Sequence, residues 1–319
     1  MPEPSVSICI PTYCRYSLLR RAVDSAMAQT LPGLEIIISD NASEDGSWEK
    51  TRALAELDPR ILVRRNSSNL GWTGNLNECI KAAKGKYLVF LCDDDELLPG
   101  MVQSCFEFME ANPVAGIVHT GAYYVTITGR LRQALSRTKP LLHAGIEALA
   151  QTLFDFNIAF SSVMARASCF SALGGFVESI SSDYEMWVRI AARYDVGYVP
   201  RPLIRVYGHS ISPKMTAARF IAESERLWTI VSSHLPEELR KQADSGNKSA
   251  VQLAAGLRSL GIQAVQAGYW QNGMDFFRGV RERLPGYGVL STLSDVLFRA
   301  LPRRLYILLF RKEMHSTNV

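Results

Sequence analysis

Three consecutive carboxylates are the strongest chemical signal in this 319-residue sequence. Asp93, Asp94 and Asp95 follow the apolar run at residues 87–91 and Cys92. Adjacent carboxylates repel one another unless a cation neutralises them. Mg²⁺ or Mn²⁺ does so with one or two carboxylates, and water and substrate phosphates fill its other positions. The triplet therefore indicates a divalent-cation site, although an isolated acidic triplet is more typical of a solvated loop.

Alternating strands and helices surround this acidic run. The apolar patterns predict strands at residues 6–10, 34–39, 61–65, 87–91, 116–124 and 161–165. They predict helices at 17–29, 47–57, 145–156 and 182–192, and a further helix that follows residue 75 and ends at residue 84. This order is typical of parallel βαβ units. Ligands of an open α/β sheet bind beyond the carboxyl ends of the strands, which is where Thr12, Tyr13, Asp40 and the acidic triplet fall. We therefore expect these residues to converge on one crevice.

Composition and charge limit the number and the type of domains that the chain can form. An apolar content of 47% can form one large domain and a smaller one. The strand pattern ends near Pro213, so we predict an α/β domain over 1–212 and a helical region over 213–319. The first carries 20 Lys and Arg against 22 Asp and Glu, and the second 15 against 9. A slightly acidic main domain argues against nucleic-acid binding.

Cysteine usage and apolar runs predict the compartment. The six cysteines include no C-x-x-C pair and no secretory stretch precedes them, which favours reduced thiols in the cytoplasm. No apolar run approaches the roughly 20 residues of a spanning helix. Residues 296–312 are basic and amphipathic. They are expected either to lie at the inner face of the cell membrane as a peripheral contact, or to pack on the α/β domain.

Five segments in order resemble glycosyltransferase family 2, the inverting enzymes of the GT-A fold. They are VSICIPTYCR at 6–15, ISDNASEDG at 38–46, Asn69-x-Gly71 followed by Asn77, FLCDDDELLPG at 90–100, and LGGF at 173–176 with SDYE at 182–185. Together they cover residues 6 to about 212. The resemblance implies a Rossmann-like GT-A domain, with a mostly parallel sheet flanked by helices. It also implies transfer from a nucleoside-diphosphate sugar, in the first instance a UDP-sugar, to a glycan or lipid-linked acceptor in surface polysaccharide or lipopolysaccharide assembly.

The resemblance also implies a role for each matching residue. The nucleotide sugar is expected to contact Pro11, Thr12, Tyr13, Arg15, Asp40, Asn69 and Asp93, with Asp40 facing the nucleobase. Mn²⁺ or Mg²⁺ is expected on Asp94, Asp95 and His209. Asp183 is the expected general base, and it begins a predicted helix whose dipole keeps a carboxylate ionised. Glu185 is the alternative base, and Arg189 is expected to form an internal ion pair. Tyr13 and Trp72 are further candidates for stacking on a base or sugar, although such aromatic residues are more often packed structurally.

Two positions depart from the family pattern. Cys92 stands where the first Asp of the D-x-D motif is more common, so the motif either shifts to residues 93–95 or uses Asp93 and Asp94 alone. Tyr207 stands where the family often has a histidine, and His209 follows two residues later. His209 is therefore either a metal or phosphate contact or an ordinary loop residue.

Two other functions stay open on the sequence alone. A sugar nucleotidyltransferase would need a glycine-rich basic loop after the first strand, which residues 11–15 lack. A nucleotide- or sugar-binding module without activity would agree with Cys92 and with the displaced histidine.

Overall fold

The computed structural model describes residues 4–125, 129, 131–134, 141–143, 158–179, 181–208, 216–245 and 275. The predicted helix at 145–156, His209 and the basic segment at 296–312 lie outside these residues. The chain forms two compact units. One runs to Gly208 and includes Ile230–Leu235, and the other comprises His209–Thr229 and the chain from Pro236 onward. The predicted division into 1–212 and 213–319 stays a prediction.

The described residues form strands and helices in alternation. The strands are β1 (Val6–Thr12), β2 (Leu34–Asp40), β3 (Ile61–Arg65), β4 (Tyr87–Phe90), β5 (Glu96–Leu97), β6 (Ala115–Val125), β7 (Leu131–Ala134), β8 (Leu141–His143), β9 (Val163–Arg166) and β10 (Asp195–Tyr207). The helices are α1 (Tyr16–Met27), α2 (Ser47–Ala53), α3 (Gly71–Ala82), α4 (Met101–Ala111), α5 (Ala167–Leu173), α6 (Ser182–Ala191), α7 (Ala217–Ser233) and α8 (Glu237–Ser245). Short 3-10 turns occupy Leu54–Glu56 and Phe160–Ser162. None of the described helices is both long and apolar enough to cross a membrane.

One mixed sheet organises the first unit, in the order β3-β2-β1-β4-β9-β6-β10-β5, with β7 beside β6 and β8 beside β10. The α/β class is confirmed. The sheet is mixed: four strand pairings, which include the long pairings of β1 with β2 and of β6 with β10, are parallel, and five shorter ones are antiparallel among the described residues. Two of the antiparallel pairings are those of β9, which lies between β4 and β6. The turn before β9 lies at the carboxyl edge of β4, so the strand must run back along β4.

The first strands form the centre of the core. β1 is buried along its whole length, and α1 and α3 both pack against it. Burial on both faces explains why β1 and β2 read as nearly continuous apolar runs without alternation. The predicted boundaries of these strands agree with the structure to within two residues.

β10 was not predicted, although it is the longest strand described, at 13 residues. Pro200 and Pro202 interrupt its pattern, and proline normally argues against a sheet interior because it has no N–H to donate. The pairing of β10 with β6 accommodates the prolines by shifting register on both sides of Pro202. Helices α4 and α5 were also missed. β10 matters for the site because its last residue reaches the acidic triplet.

Candidate active site

The loops that follow β1, β2 and β4 meet at one edge of the sheet. Thr12 is paired with Asp40 across β1 and β2, and Cys9 is paired with Phe90 across β1 and β4. The three strands therefore end together, as the sequence predicted. The Thr12 hydroxyl donates a hydrogen bond to Asp93 at 2.8 Å, which joins the first loop to the acidic triplet.

The three carboxylates of the triplet are all paired with other side chains. Asp93 accepts from Thr12 and from Arg15, the latter at 3.0 Å. Asp95 accepts from the Ser161 hydroxyl at 2.5 Å and from the Tyr207 N–H at 3.1 Å. Asp94 is paired with Arg15 through its side chain. Arg15 thus joins Asp93 and Asp94, whereas Asp95 is held by Ser161 and by the end of β10.

A compact group of metal-ligating atoms lies within the triplet. The Cys92 sulfur and one carboxylate oxygen each from Asp94 and Asp95 all lie within 4.8 Å of one another. Asp93 is not part of this group. The group contains Asp94 and Asp95, the two carboxylates predicted to hold the metal, while Asp93 bonds to Thr12 of the β1 loop, and the register of the D-x-D motif stays a prediction.

Burial raises the proton affinity of two of these acids. The pKa of Asp93 rises to about 6, mainly through burial, although Arg15 and the Thr12 hydroxyl oppose the shift. The pKa of Asp95 rises to about 7, again mainly through burial, with Ser161 opposing it and the charge of Asp94 adding to it. Crowded, desolvated carboxylates of this kind favour a bound cation.

The loop after β2 contains a carboxylate with one unsatisfied oxygen. Asp40 is fully buried, and its Oδ2 accepts from the Ser43 N–H at 3.0 Å and lies 3.6 Å from Arg65 Nε. Its Oδ1 has no hydrogen-bond partner among the residues that the structure describes. A buried oxygen without a donor is costly, so this atom marks where the N–H of a ligand would be favourable.

A network of asparagines joins the β2 loop to the segment before α3. Asn41 donates to the side chain of Asn69 at 2.8 Å and to the Gly71 carbonyl at 3.1 Å, and it accepts from Asn66 at 3.0 Å. Asn75 donates to the Ser39 carbonyl at 2.9 Å. The Oδ1 of Asn69, a predicted nucleotide contact, is thus engaged in holding loops together. Sequence reasoning missed Asn41, Asn66 and Asn75, although Asn41 and Asn66 each directly follow the end of a strand, which was a usable signal.

Helix α6 carries the two acids considered as the general base. Asp183 lies in its first turn and is partly buried, and burial raises the pKa of this carboxyl while backbone N–H groups oppose the shift. Glu185 is only 1% exposed and accepts from Arg189 at 2.7 Å. The expected ion pair of Arg189 is therefore confirmed. Because Glu185 is enclosed by that pair, Asp183 is the better placed of the two acids to meet an acceptor.

The LGGF segment is held from two sides. Asn77 of α3 donates to the Phe176 carbonyl and accepts from the Phe176 N–H, both at 2.9 Å. Arg189 of α6 donates to the Leu173 carbonyl at 2.7 Å and to the Gly175 carbonyl at 2.8 Å. A Cβ on Gly175 would lie 2.4 Å from Asn77 Oδ1, so this close approach requires glycine. Two motifs that are far apart in the sequence therefore form one structural unit.

The sequence model of glycosyl transferase family 2 matches residues 7–173, which is more than half of the chain. The chain belongs to glycosyltransferase family 2. The enzyme is 28% identical to an uncharacterized glycosyltransferase of Rickettsia typhi over 71% of each chain. It is also 36% identical to the GalNAc(5)-diNAcBac-PP-undecaprenol beta-1,3-glucosyltransferase of Campylobacter jejuni, over 33% of this chain and 34% of that protein.

Solved structures confirm the GT-A type of fold for this glycosyltransferase. S. aureus TarS in complex with UDP-GlcNAc aligns with a TM-score of 0.63 at 16% identity, over 88% of this chain and 82% of that one. A mannosyltransferase of Pyrobaculum calidifontis in complex with GDP-Man and Mn²⁺ aligns with a TM-score of 0.57 at 15% identity, over 95% and 82% of the respective chains. At these identities the likeness concerns the fold alone.

Tyr207, which replaces the more common histidine of the glycosyltransferase family, has a packing role. Its hydroxyl donates to Glu96 at 3.0 Å, and its ring lies 3.7 Å below the Arg21 guanidinium. Its backbone N–H fixes Asp95. The end of β10 thus supports the acidic group without supplying a ligand from this side chain.

Two exposed aromatic residues follow β1 and begin α3. Tyr13 is 43% exposed and Trp72 is 45% exposed. Trp72 packs edge-on against Phe160 at 5.7 Å, and Phe160 precedes the serine that bonds to Asp95. Both aromatic residues remain candidates for stacking on a base or sugar.

Proposed function

We propose that this enzyme transfers a sugar from a UDP-sugar to a hydroxyl group of a glycan or lipid-linked acceptor, with inversion and with Mn²⁺ or Mg²⁺ as cofactor. The unsatisfied Oδ1 of Asp40 carries the proposal, because it sits at the same sheet edge as the acidic group. Nucleotide binding along this edge would place the base at Asp40 and the diphosphate at the triplet.

The hydrogen bonds of Asp40 favour uracil over guanine. Guanine presents two adjacent N–H groups that need both oxygens of a carboxylate, whereas the uracil ring presents one. Oδ2 is already engaged by Ser43 and approached by Arg65, which leaves only Oδ1. TarS, of the same fold, is described in complex with UDP-GlcNAc, and the mannosyltransferase with GDP-Man, so the fold by itself does not select the base.

The residues present fit a hard divalent cation. Asp94 and Asp95 bring two carboxylates together, and we propose that they hold the ion, with His209 as a further ligand from outside the described residues. The bound cation would stabilise the negative charge of the departing diphosphate. The mannosyltransferase structure contains Mn²⁺, which supports this cofactor.

The chain's own residues would orient and deprotonate the acceptor. We assign Asp183 to take the proton from the acceptor hydroxyl, because it lies in the first turn of α6 and is only partly buried. Its raised pKa increases its proton affinity as a base while the helix N-terminus favours the ionised form. The ion pair of Glu185 and Arg189 would hold this helix against the LGGF segment.

A lipid-linked acceptor would explain the basic C-terminal segment. The Campylobacter relative is named for an undecaprenol-linked acceptor, which supports this class. We propose that residues 296–312 place the enzyme at the inner face of the cell membrane, with assembly of surface polysaccharide as its role.

Calorimetric titration with UDP, GDP and dTDP in the presence of Mn²⁺ tests the base assignment. We expect UDP to bind at least about tenfold more tightly than GDP, a difference of about 1.4 kcal/mol. Asp40→Asn should abolish this preference, because the amide rotates a donor toward the base. Asp45→Asn is the matched control, since Asp45 lies exposed in the same loop. Tighter binding of GDP by the wild type would refute the assignment.

A further inference from the structure

Arg15 pairs with two carboxylates of the acidic triplet at once. One terminal nitrogen of its guanidinium lies 3.0 Å from Asp93 Oδ1, and the other contacts Asp94 Oδ2. The Arg15 side chain is 39% exposed, whereas those of Asp93 and Asp94 are almost completely buried. The arginine is therefore a partly exposed partner for two buried acids.

The Asp94 carboxylate is a partner of Arg15 and also a proposed ligand of the cation. It belongs to the compact group with Cys92 and Asp95 that we propose holds the divalent cation. A dication on this carboxylate and a guanidinium on its Oδ2 would be like charges a few ångströms apart, and they would repel strongly in a partly buried site. Arg15 and the cation therefore compete for Asp94.

A nucleotide diphosphate offers Arg15 an alternative partner. Arg15 is the N-cap residue of α1, its side chain makes no capping hydrogen bond, and the first turn of α1 contains no acid. Unsatisfied N–H groups at such a helix start attract phosphate. A guanidinium forms paired hydrogen bonds with phosphate oxygens as readily as with a carboxylate.

We propose that Arg15 is an internal counter-cation that holds Asp94 until the diphosphate arrives, so that cation and nucleotide bind cooperatively. This inference rests on the proposed function. When the diphosphate binds, the guanidinium transfers to it and Asp94 becomes available to the cation. Arg21 does not compete, because it donates to the backbone carbonyl of Asp94 at 2.5 Å and its guanidinium covers Tyr207.

Mn²⁺ titrations of Arg15→Gln and Arg20→Gln test the competition. Arg20 is the matched control, because it lies on α1 close to Arg15, is exposed and forms its ion pair with Asp24, outside the acidic triplet. Both variants lose one positive charge. Without nucleotide, Arg15→Gln should bind Mn²⁺ about tenfold more tightly than wild type, within the usual range of coupling between sites, and Arg20→Gln should not.

The coupling itself is measured as the dissociation constant of UDP at zero and saturating Mn²⁺, corrected for the Mn²⁺–UDP complex by titration without protein. In the wild type, Mn²⁺ should tighten UDP binding at least about tenfold, and in Arg15→Gln the gain should be several-fold smaller. Arg15→Lys keeps the charge and should restore much of the gain.

Equal Mn²⁺ affinities of Arg15→Gln and Arg20→Gln without nucleotide would overturn the inference while leaving the proposed function intact. A wild type that binds UDP but never Mn²⁺ would refute both the proposed cofactor and the competition. The two failures are thus distinguishable.

Discussion

Asp183 is a carboxylate whose surroundings raise its affinity for the proton it is proposed to accept. Burial raises its pKa, and the backbone N–H groups of α6 only partly offset the shift. Its neighbour Glu185 has the same chemistry but is enclosed and paired. The two acids differ in exposure and in partner, and these differences are the reason that we propose Asp183 as the base.

Asp183→Asn should lower kcat by about 10²–10⁴-fold, because the amide retains size and hydrogen bonding but cannot accept the proton. The dissociation constant of the donor should change little. Acceptor-dependent rates and donor binding are measured in parallel. If Asp183→Asn transfers sugar at nearly the wild-type rate and Glu185→Gln does not, Glu185 is the base.

The same substitution should stabilise the protein at neutral pH. A folded-state pKa above the unfolded value means that the contribution of Asp183 to stability is present below the unfolded pKa and lost as pH rises through the folded pKa. Above that value, removing the charge removes the desolvation cost. The melting temperature of Asp183→Asn should exceed that of the wild type at pH 8, and the difference should disappear near pH 4.

Asp94→Ala should abolish metal-dependent turnover and weaken donor binding, unlike Asp183→Asn. Asp94 belongs to the proposed cation group, so its loss should remove the affinity that Mn²⁺ adds to UDP. Circular dichroism checks that the variant is folded. Wild-type activity at saturating Mn²⁺ would contradict the assignment of this residue.

Helices α3 and α6 both form hydrogen bonds to the same short segment. Residues 173–176 receive hydrogen bonds from Asn77 on one side and from Arg189 on the other. Asn41 bonds to Gly71 at the start of α3, next to the proposed donor site, and α6 carries the proposed base. In the proposed site, the spacing between donor and base would depend on this segment.

Gly175→Ala should destabilise the protein by about 1–3 kcal/mol, because the added methyl group would overlap Asn77 Oδ1 at 2.4 Å. Chemical denaturation of Gly175→Ala and of Ser171→Ala, an exposed position on α5, measures the effect. In an Asn77→Ala background the Gly175→Ala penalty should shrink, because the clashing oxygen is gone. An unchanged penalty would show that the cost arises elsewhere.

Buried carboxylates beyond the carboxyl ends of the strands destabilise the first unit when they are ionised. Asp93 and Asp95 titrate at about 6 and about 7, above the usual value for aspartate. Their contribution to stability is therefore complete below about pH 4 and is lost as pH rises through these values.

The cation-free melting temperature should fall between pH 5 and pH 8 more steeply in the wild type than in Asp95→Asn. Mn²⁺ should raise the melting temperature more at pH 8 than at pH 5, because it binds the ionised acids. Differential scanning fluorimetry with and without chelator measures both effects. Equal pH slopes in the two proteins would show that Asp95 does not carry the cost.

The sequence by itself determined the local elements and the set of polar loop ends. The strands β1, β2 and β4 were predicted correctly because a strand that is buried on both faces has a continuous apolar sequence. Thr12, Asp40 and the triplet lie at or just beyond the ends of these strands. The order of motifs sufficed for the family. These features depend on residues that are only a few positions apart in the sequence, and the periodicity of apolar residues reflects such local relationships.

Only the tertiary structure decided which partners these residues have. β10 was not predicted because its prolines are accommodated by register shifts in its pairing with β6, a distant strand. Asn69 accepts a hydrogen bond from Asn41. The enclosure of Glu185 and the pairing of Arg15 with Asp93 and Asp94 likewise follow from chain segments that meet only on folding. The charge of a side chain is local, but its partner and its burial are set by distant residues, and these fix its chemistry.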